Sequence, residues 1–253
     1  MGERRGTRQR ENTIMRRTEN TIMKQSRGVR LLGPLTVLAI CAALVAAPAA
    51  GAKDRVLPAG SHAWGASLVT WQERWSAWAL GSGSNPTATD ICGEKVGGVF
   101  FLNTTTEVGT KQVECHLRPG TRLLGVVAGT FFVPSFPPAH VETDQELLDL
   151  VRTSSVTDHP RATLDGRSLE GSLTEDSRRF TPVHTIPLEP GNFLSTFDPG
   201  FNTVDETRLA SAGWWLRLNP LRPGHHELFL ANDVTDFGTL AIEFDITVGH
   251  GGH

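Results

Sequence analysis

The sequence predicts a mainly β domain, an antiparallel two-sheet β-sandwich that carries one Trp-rich amphipathic helix and one short helix. Three observations lead there. Leu240, Ile242, Phe244, Ile246 and Val248 alternate with Ala241, Glu243, Asp245 and Thr247, the period-two pattern of a strand with one buried and one wet face. Residues 162–169, ATLDGRSL, place Asp165-Gly166 between two short runs, a strong two-residue hairpin signal. Trp64, Leu68, Trp71, Trp75 and Trp78 recur at steps of four, three, four and three, the stripe of a helix lying on a sheet.

Taken in order, the helix occupies 61–80 and ends at the glycines and serines of 81–84. VGGVFFL at 96–102 and KQVECHL at 111–117 flank a polar NTTTEVGT segment and read as two strands of one hairpin. TRLLGVVAGTFFV at 121–133 is apolar almost throughout, as a central or bent strand is, with breaks at Gly125 and Gly129. Thr143 and Glu146 form a capping box ahead of Leu147, Leu148, Leu150 and Val151, which predicts the short helix. FTPVHTIPL at 180–188 fits an edge strand, because proline cannot donate to a central ladder. GWWLRLN, HHELFLA and LAIEFDITV then read as a closing three-strand meander.

The 253-residue chain has an ordinary globular composition and a formal net charge of -3, but that average hides a division. Residues 1–52 hold nine of the 24 Lys and Arg and three of the 27 acids, so 15 basic and 24 acidic residues remain and the rest carries -9. A chain of that sign is not built to clasp phosphate backbones, so nucleic acid is not an expected partner. Lys24, Arg27 and Arg30 precede an apolar run at 35–45, and Ala50-Gly51-Ala52 is a small-x-small cleavage pattern. The expected organisation is therefore a start-site overhang or extension over 1–22, with ENTIM at 11–15 and again at 19–23, a signal peptide over 23–52, and one mature β-rich domain over 53–253 whose residues 246–253 end in a His/Gly tail. The apolar run is shorter than the roughly 20 residues that span a bilayer, so no permanent membrane anchor is expected. Removing the leader deletes Cys41 and leaves Cys92 and Cys115 to form one disulfide in an exported chain.

The chain contains no G-x-S-x-G elbow, P-loop, H-E-x-x-H or EF-hand loop, and no cofactor is expected. Trp64, Trp71, Trp75 and Trp78 are the candidate ligand-stacking residues, as a platform for sugar rings, against the competing role of core packing. His225 and His226, followed by Glu227, are the candidate metal ligands, although a second histidine four residues on is missing. Asn103-Thr104-Thr105 is a formal glycosylation sequon.

The order of WQERWSAWAL, ICGEKVGGVFFLN, ECHLRPGTRLL, TLDGRSL and LNPLRPGHHELFL resembles a group of exported bacterial proteins with no established activity. That resemblance implies secretion, a disulfide and a β-rich domain, and implies no reaction. The functional expectation is a secreted, non-enzymatic binding or structural module with a ligand in the extracellular space or cell envelope. The alternative is an extracellular polymer hydrolase using Asp or Glu as acid and base.

Overall fold

The computed structural model describes residues 55–83, 91–134, 143–154, 159–234 and 238–249, apart from the Asp176 side chain. The segment 23–52, expected to be a signal peptide, and the terminal histidines lie outside the described residues.

Two helices are set by their sequence signals. Ser67 caps α1, Leu68–Ser76, by accepting from Thr70 N, and a π-turn over Ala77–Gly81 continues it. In α2, Asp144–Thr153, the capping box is complete: Thr143 Oγ1 accepts from Glu146 N, and Thr143 N donates to Glu146 Oε2.

Eleven strands among the described residues form two sheets. The six-stranded sheet orders β1 (Gly93–Val96), β2 (Val99–Leu102), β4 (Leu123–Phe132), β9 (Glu206–Leu218) and β7 (Arg179–Phe180), with β8 (His184–Pro187) also paired to β9. The five-stranded sheet orders β3 (Gly109–Leu117), β11 (Gly238–Val248), β10 (Gly224–Val234), β5 (His159–Leu164) and β6 (Arg167–Ser168). The mainly β, two-sheet class is the expected one, with a correction to the strand directions. β2 runs parallel to β4 and β3 runs parallel to β11, so both sheets are mixed rather than purely antiparallel.

The parallel pairs arise because the chain changes sheet after β2 and again after β3. Consequently VGGVFFL and KQVECHL are not partners in one hairpin. VGGVFFL holds a hairpin of its own, β1 to β2 about Gly97-Gly98, while β3 crosses to the other layer and turns Val113, Cys115 and Leu117 to the core. The closing meander is corrected likewise: β9 stays in the six-stranded sheet, and 219–223, with Pro220 and Pro223, carry the chain over to the β10–β11 hairpin. The Asp165-Gly166 turn between β5 and β6 forms as expected, with φ of 52° and 71°.

The six-stranded sheet is buried on both faces. Leu123, Val127, Trp214, Leu216 and Leu218 meet Leu228, Leu230, Ile242, Phe244 and Ile246 between the layers. On the opposite face Phe101, Leu124 and Trp215 meet Leu68, Trp71, Trp75 and Trp78 beneath α1. α2 lays Leu147 and Val151 on Ala210 and Ala212 at the far end of β9. The Cys92–Cys115 disulfide joins the residue before β1 to the C-terminal part of β3, so it ties an edge of one sheet to an edge of the other.

Closing a loop with 23 residues of sequence separation is expected to stabilise the fold by about 3 kcal/mol. A Cys92→Ala, Cys115→Ala variant should lose about that much in chemical denaturation, and an unchanged midpoint would show that the bond constrains nothing.

Candidate functional site

The tryptophan stripe and a bulge in β4 together border a cleft inside the fold. Trp71 is 1% exposed and donates to Ala63 O at 3.1 Å. Its ring meets Phe101 and Trp64 edge-on at 6.2 and 6.1 Å. Trp64 is half-buried and held in the left-handed region at φ 60°. Trp75 packs edge-on against Trp78 at 6.0 Å and Trp215 at 5.1 Å and donates to Leu102 O at 3.4 Å, while Trp78 donates to Glu94 Oε2 at 2.9 Å. The four rings of the stripe therefore form an interlocked cluster on the sheet and expose no shared flat face. Of the four, only Trp75 lines the cleft described next.

β2 has four residues and β4 has ten, and their ladder covers only Leu123 and Leu124. From Gly125 onward that edge of β4 has no strand beside it among the described residues. On its other side β4 bulges at Val127, because Val126 pairs with Trp215 and Ala128 already pairs with Trp214. A cleft of about 140 Å³ runs past this open edge. Trp75, Phe193 and Trp215 line it from the helix side, Leu230, Asn232 and Ile242 from the other sheet, and Thr104, Thr105 and Thr106 from the β2–β3 connection.

Gly213 makes this geometry possible. A Cβ there would stand 2.5 Å from Ala128 O, 3.0 Å from Gly129 Cα and 3.1 Å from Trp215 Nε1. Behind the cleft, buried Gln72 donates from Nε2 to Ser211 Oγ at 3.0 Å, and Ser211 N donates to Thr181 Oγ1 at 2.9 Å. These bonds fix the Ser211 side of the wall. Two buried polar atoms of cleft residues, Trp215 Nε1 and Asn232 Oδ1, have no hydrogen-bond partner in the protein. Each such orphan costs about 1–3 kcal/mol.

The candidate metal ligands are placed apart. His225 lies on the wet face of β10, with Nδ1 3.0 Å from Asp245 Oδ1. His226, 8% exposed, turns inward between the Asp165 carboxylate, 2.9 Å from Nδ1, and Arg222 O, 2.9 Å from Nε2, so both its ring nitrogens are occupied. Among the described residues no three His, Cys, Asp or Glu side chains converge as a metal's ligands would. Asn103 of the sequon is fully buried, and its Nδ2 donates to Ile91 O at 3.0 Å.

Two charged groups are shifted by their surroundings. The Thr239 hydroxyl, donating at 2.6 Å, and then the Arg161 guanidinium hold the Asp233 carboxyl below its usual range. Burial, and then the charge of Arg179, pull the Arg217 guanidinium below its usual value. Arg217 is 1% exposed, with no carboxylate paired to it among the described residues, and its Nη2 donates to Pro58 O at 2.6 Å and to Ser61 Oγ at 3.0 Å. It works as a clamp on the 58–61 segment.

The chain matches no protein-family model and no curated protein. The cleft itself was hidden in the sequence. Trp214-Trp215 reads there as strand core and Asn232-Asp233 as a turn, and the only hint was Gly213 opening an otherwise bulky strand.

Gly213→Ala should destabilise the protein by about 1–3 kcal/mol, because the two nearest obstructing atoms are backbone and cannot swing aside; denaturation measures it. Thr239→Val should raise the Asp233 carboxyl titration midpoint, followed by carboxyl carbon NMR. A lowered native midpoint means that Asp233 stabilises the fold above the usual aspartate range and that this contribution is lost as pH falls through the native midpoint. The variant should therefore lose less stability than the parent on acidification.

Proposed function

We propose that the protein is an exported, non-catalytic binding module that holds an extracellular or cell-envelope ligand in the cleft at the β4 bulge. The observation that carries this reading is the chemistry of the wall. Among the described residues, every side chain lining the cleft is neutral, and none is Asp, Glu, His, Lys, Arg or Cys. A wall of that kind can enclose and orient a molecule, but it offers no group to take or give a proton at neutral pH. Export is supported by the basic leader with its apolar run and small-x-small site, and by the disulfide, a bond favoured in oxidising compartments. Among the described residues no helix is long and apolar enough to cross a membrane.

One observation favours the hydrolase alternative. The strand register puts Glu114, Asp245 and Glu227 in one row across β3, β11 and β10, with Glu243 one row away. Glu114, Asp245 and Glu227 stand exposed on an open sheet face, whereas a glycosidase acid is kept protonated by an enclosed environment. The module reading is therefore the stronger one.

The test is to express the full-length chain in an exporting bacterial host. The module reading expects protein outside the cytoplasm that begins at Lys53, contains the disulfide and co-sediments with cell-wall or polysaccharide preparations without degrading them. Cytoplasmic retention with an uncut leader, absence of co-sedimentation, or polymer cleavage that disappears in Glu227→Gln would overturn it.

A further inference from the structure

The charges of the domain are sorted along the sandwich. Leu117, Val248 and Gly224 form one row at an end of the five-stranded sheet, and Gly249 N donates to Leu117 O there. Phe100, Leu123, Leu218 and Val56 form the matching row of the six-stranded sheet. The turns 118–122 and 219–223 join the two rows, so they and the Gly97-Gly98 turn crown the same end of the molecule. Lys95, Arg118, Arg122 and Arg222 stand exposed on these turns or beside them. Among the described residues no carboxylate is ion-paired with Lys95, Arg122 or Arg222. The connections themselves hold no acid, since the sequence has no Asp or Glu over 95–106, 115–141 or 207–226. Two neighbouring carboxylates are engaged elsewhere: Glu94 accepts from Trp78 Nε1, and Asp165 lies against His226 Nδ1 and accepts from Glu227 N at 3.2 Å. Asp54, outside the described residues, is flanked in the chain by Lys53 and Arg55.

We propose that this end of the sandwich is a docking face for an anionic membrane surface, whose lipid headgroups meet Lys95, Arg118, Arg122 and Arg222. The inference goes beyond the binding-module reading and does not use the cleft. The sign of the partner follows from four exposed cations on acid-free turns, in a domain whose other 11 Lys and Arg share the chain with 24 acids. Its planar form follows from the sorting. The exposed row of Glu114, Asp245 and Glu227 begins three residues inside the end row, about 10 Å along the strands. That exceeds the Debye length of about 8 Å in physiological salt, so a flat surface met end-on feels the arginines and little of the acids. An anionic polymer free to lie along the domain would meet both. Pro119, Pro220 and Pro223 fix the backbone of the arginine-bearing turns, so little freedom is lost on docking. Cleft residues Gly129, Thr130, Asn232 and Leu240 lie toward the opposite ends of their strands, so docking leaves them uncovered.

The test is sedimentation with vesicles of mixed phosphatidylcholine and phosphatidylglycerol, or of phosphatidylcholine alone, using the chain as the exporting host releases it. The expected result is binding to the mixed vesicles that weakens with salt, and none to phosphatidylcholine alone. Each Lys or Arg at an anionic surface is worth about fivefold in affinity, so the triple variant Arg118→Gln, Arg122→Gln, Arg222→Gln should bind about a hundredfold less tightly. Arg74→Gln, Arg152→Gln, Arg161→Gln, with the same net charge, should bind as the parent does. If the first triple variant fails to fold, the unaltered protein is mapped by NMR on bicelles of the mixed lipids that carry a spin-labelled headgroup. Amide signals within 96–98, 118–122 and 219–224 should then broaden. The same map serves a chain retained with its leader, because leader signals are resolved from those of the turns. Equal loss in the two triple variants, binding to phosphatidylcholine alone, no vesicle binding, or broadening at Glu114 and Glu227 in place of the turns overturns the docking face. Tighter binding to soluble polyphosphate than to the mixed vesicles overturns it as well and assigns the arginines to a polymer. None of these results touches the module reading, whose ligand is sought in lipid-free wall or polysaccharide preparations.

Discussion

β9 has no wet face, and most of the fold is arranged around that fact. From Leu209 to Leu218 every residue is buried, with Trp214, Leu216 and Leu218 turned to the second sheet and Trp215 turned to the tryptophan helix. A strand covered on both faces also needs both edges satisfied, since its backbone groups cannot reach water. β4 takes one edge. The other is shared by three short pieces: the segment at 55–57, β7 and β8. Short pieces complete the ladder without leaving one long edge open to another chain. Arg217 strengthens the first of these pieces by holding the 58–61 turn, which is why a guanidinium is tolerated among leucines.

Features written in local chemistry could be read from the sequence. The Thr143–Glu146 capping box, the Asp165-Gly166 turn, the spacing of Leu68, Trp71, Trp75 and Trp78 and the alternation over 240–248 each depend on residues within a few positions of one another, whereas Trp64, the expected first member of the helix stripe, lies before the helix in a left-handed turn. What could not be read was which strand lies beside which. Period-two alternation tells which side of a strand is dry and says nothing of its neighbour. β3 and β9 therefore look like members of local hairpins although β3 lies in a different sheet from β2 and β9 in a different sheet from β10. Gly97-Gly98 was hidden for another reason: it sits inside an apolar run and looks like part of one strand.

The cleft shows the same limit at the level of chemistry. It exists because the β2 ladder covers only the first two of the ten residues of β4, leaving Thr104, Thr105 and Thr106 to pass where a strand would otherwise lie. Its polar atoms come from α1, β9, β10 and the β2–β3 connection, with no spacing in the chain to link them. Trp75, by contrast, was visible as a stripe residue, and its place on the cleft wall follows from the helix phase that the stripe defines.

The position of Asn103 bears on where such a chain can mature. Its backbone N–H donates to Cys92 O at 2.9 Å and its side-chain amide to Ile91 O, so the acceptor nitrogen of the sequon is locked beside the disulfide in the finished fold. Oligosaccharide transfer acts on chains that are still unfolded, and a glycan attached there would occupy the space into which this asparagine must close. In any pathway that glycosylates asparagine, sugar attachment would stand in direct competition with closure of the sandwich.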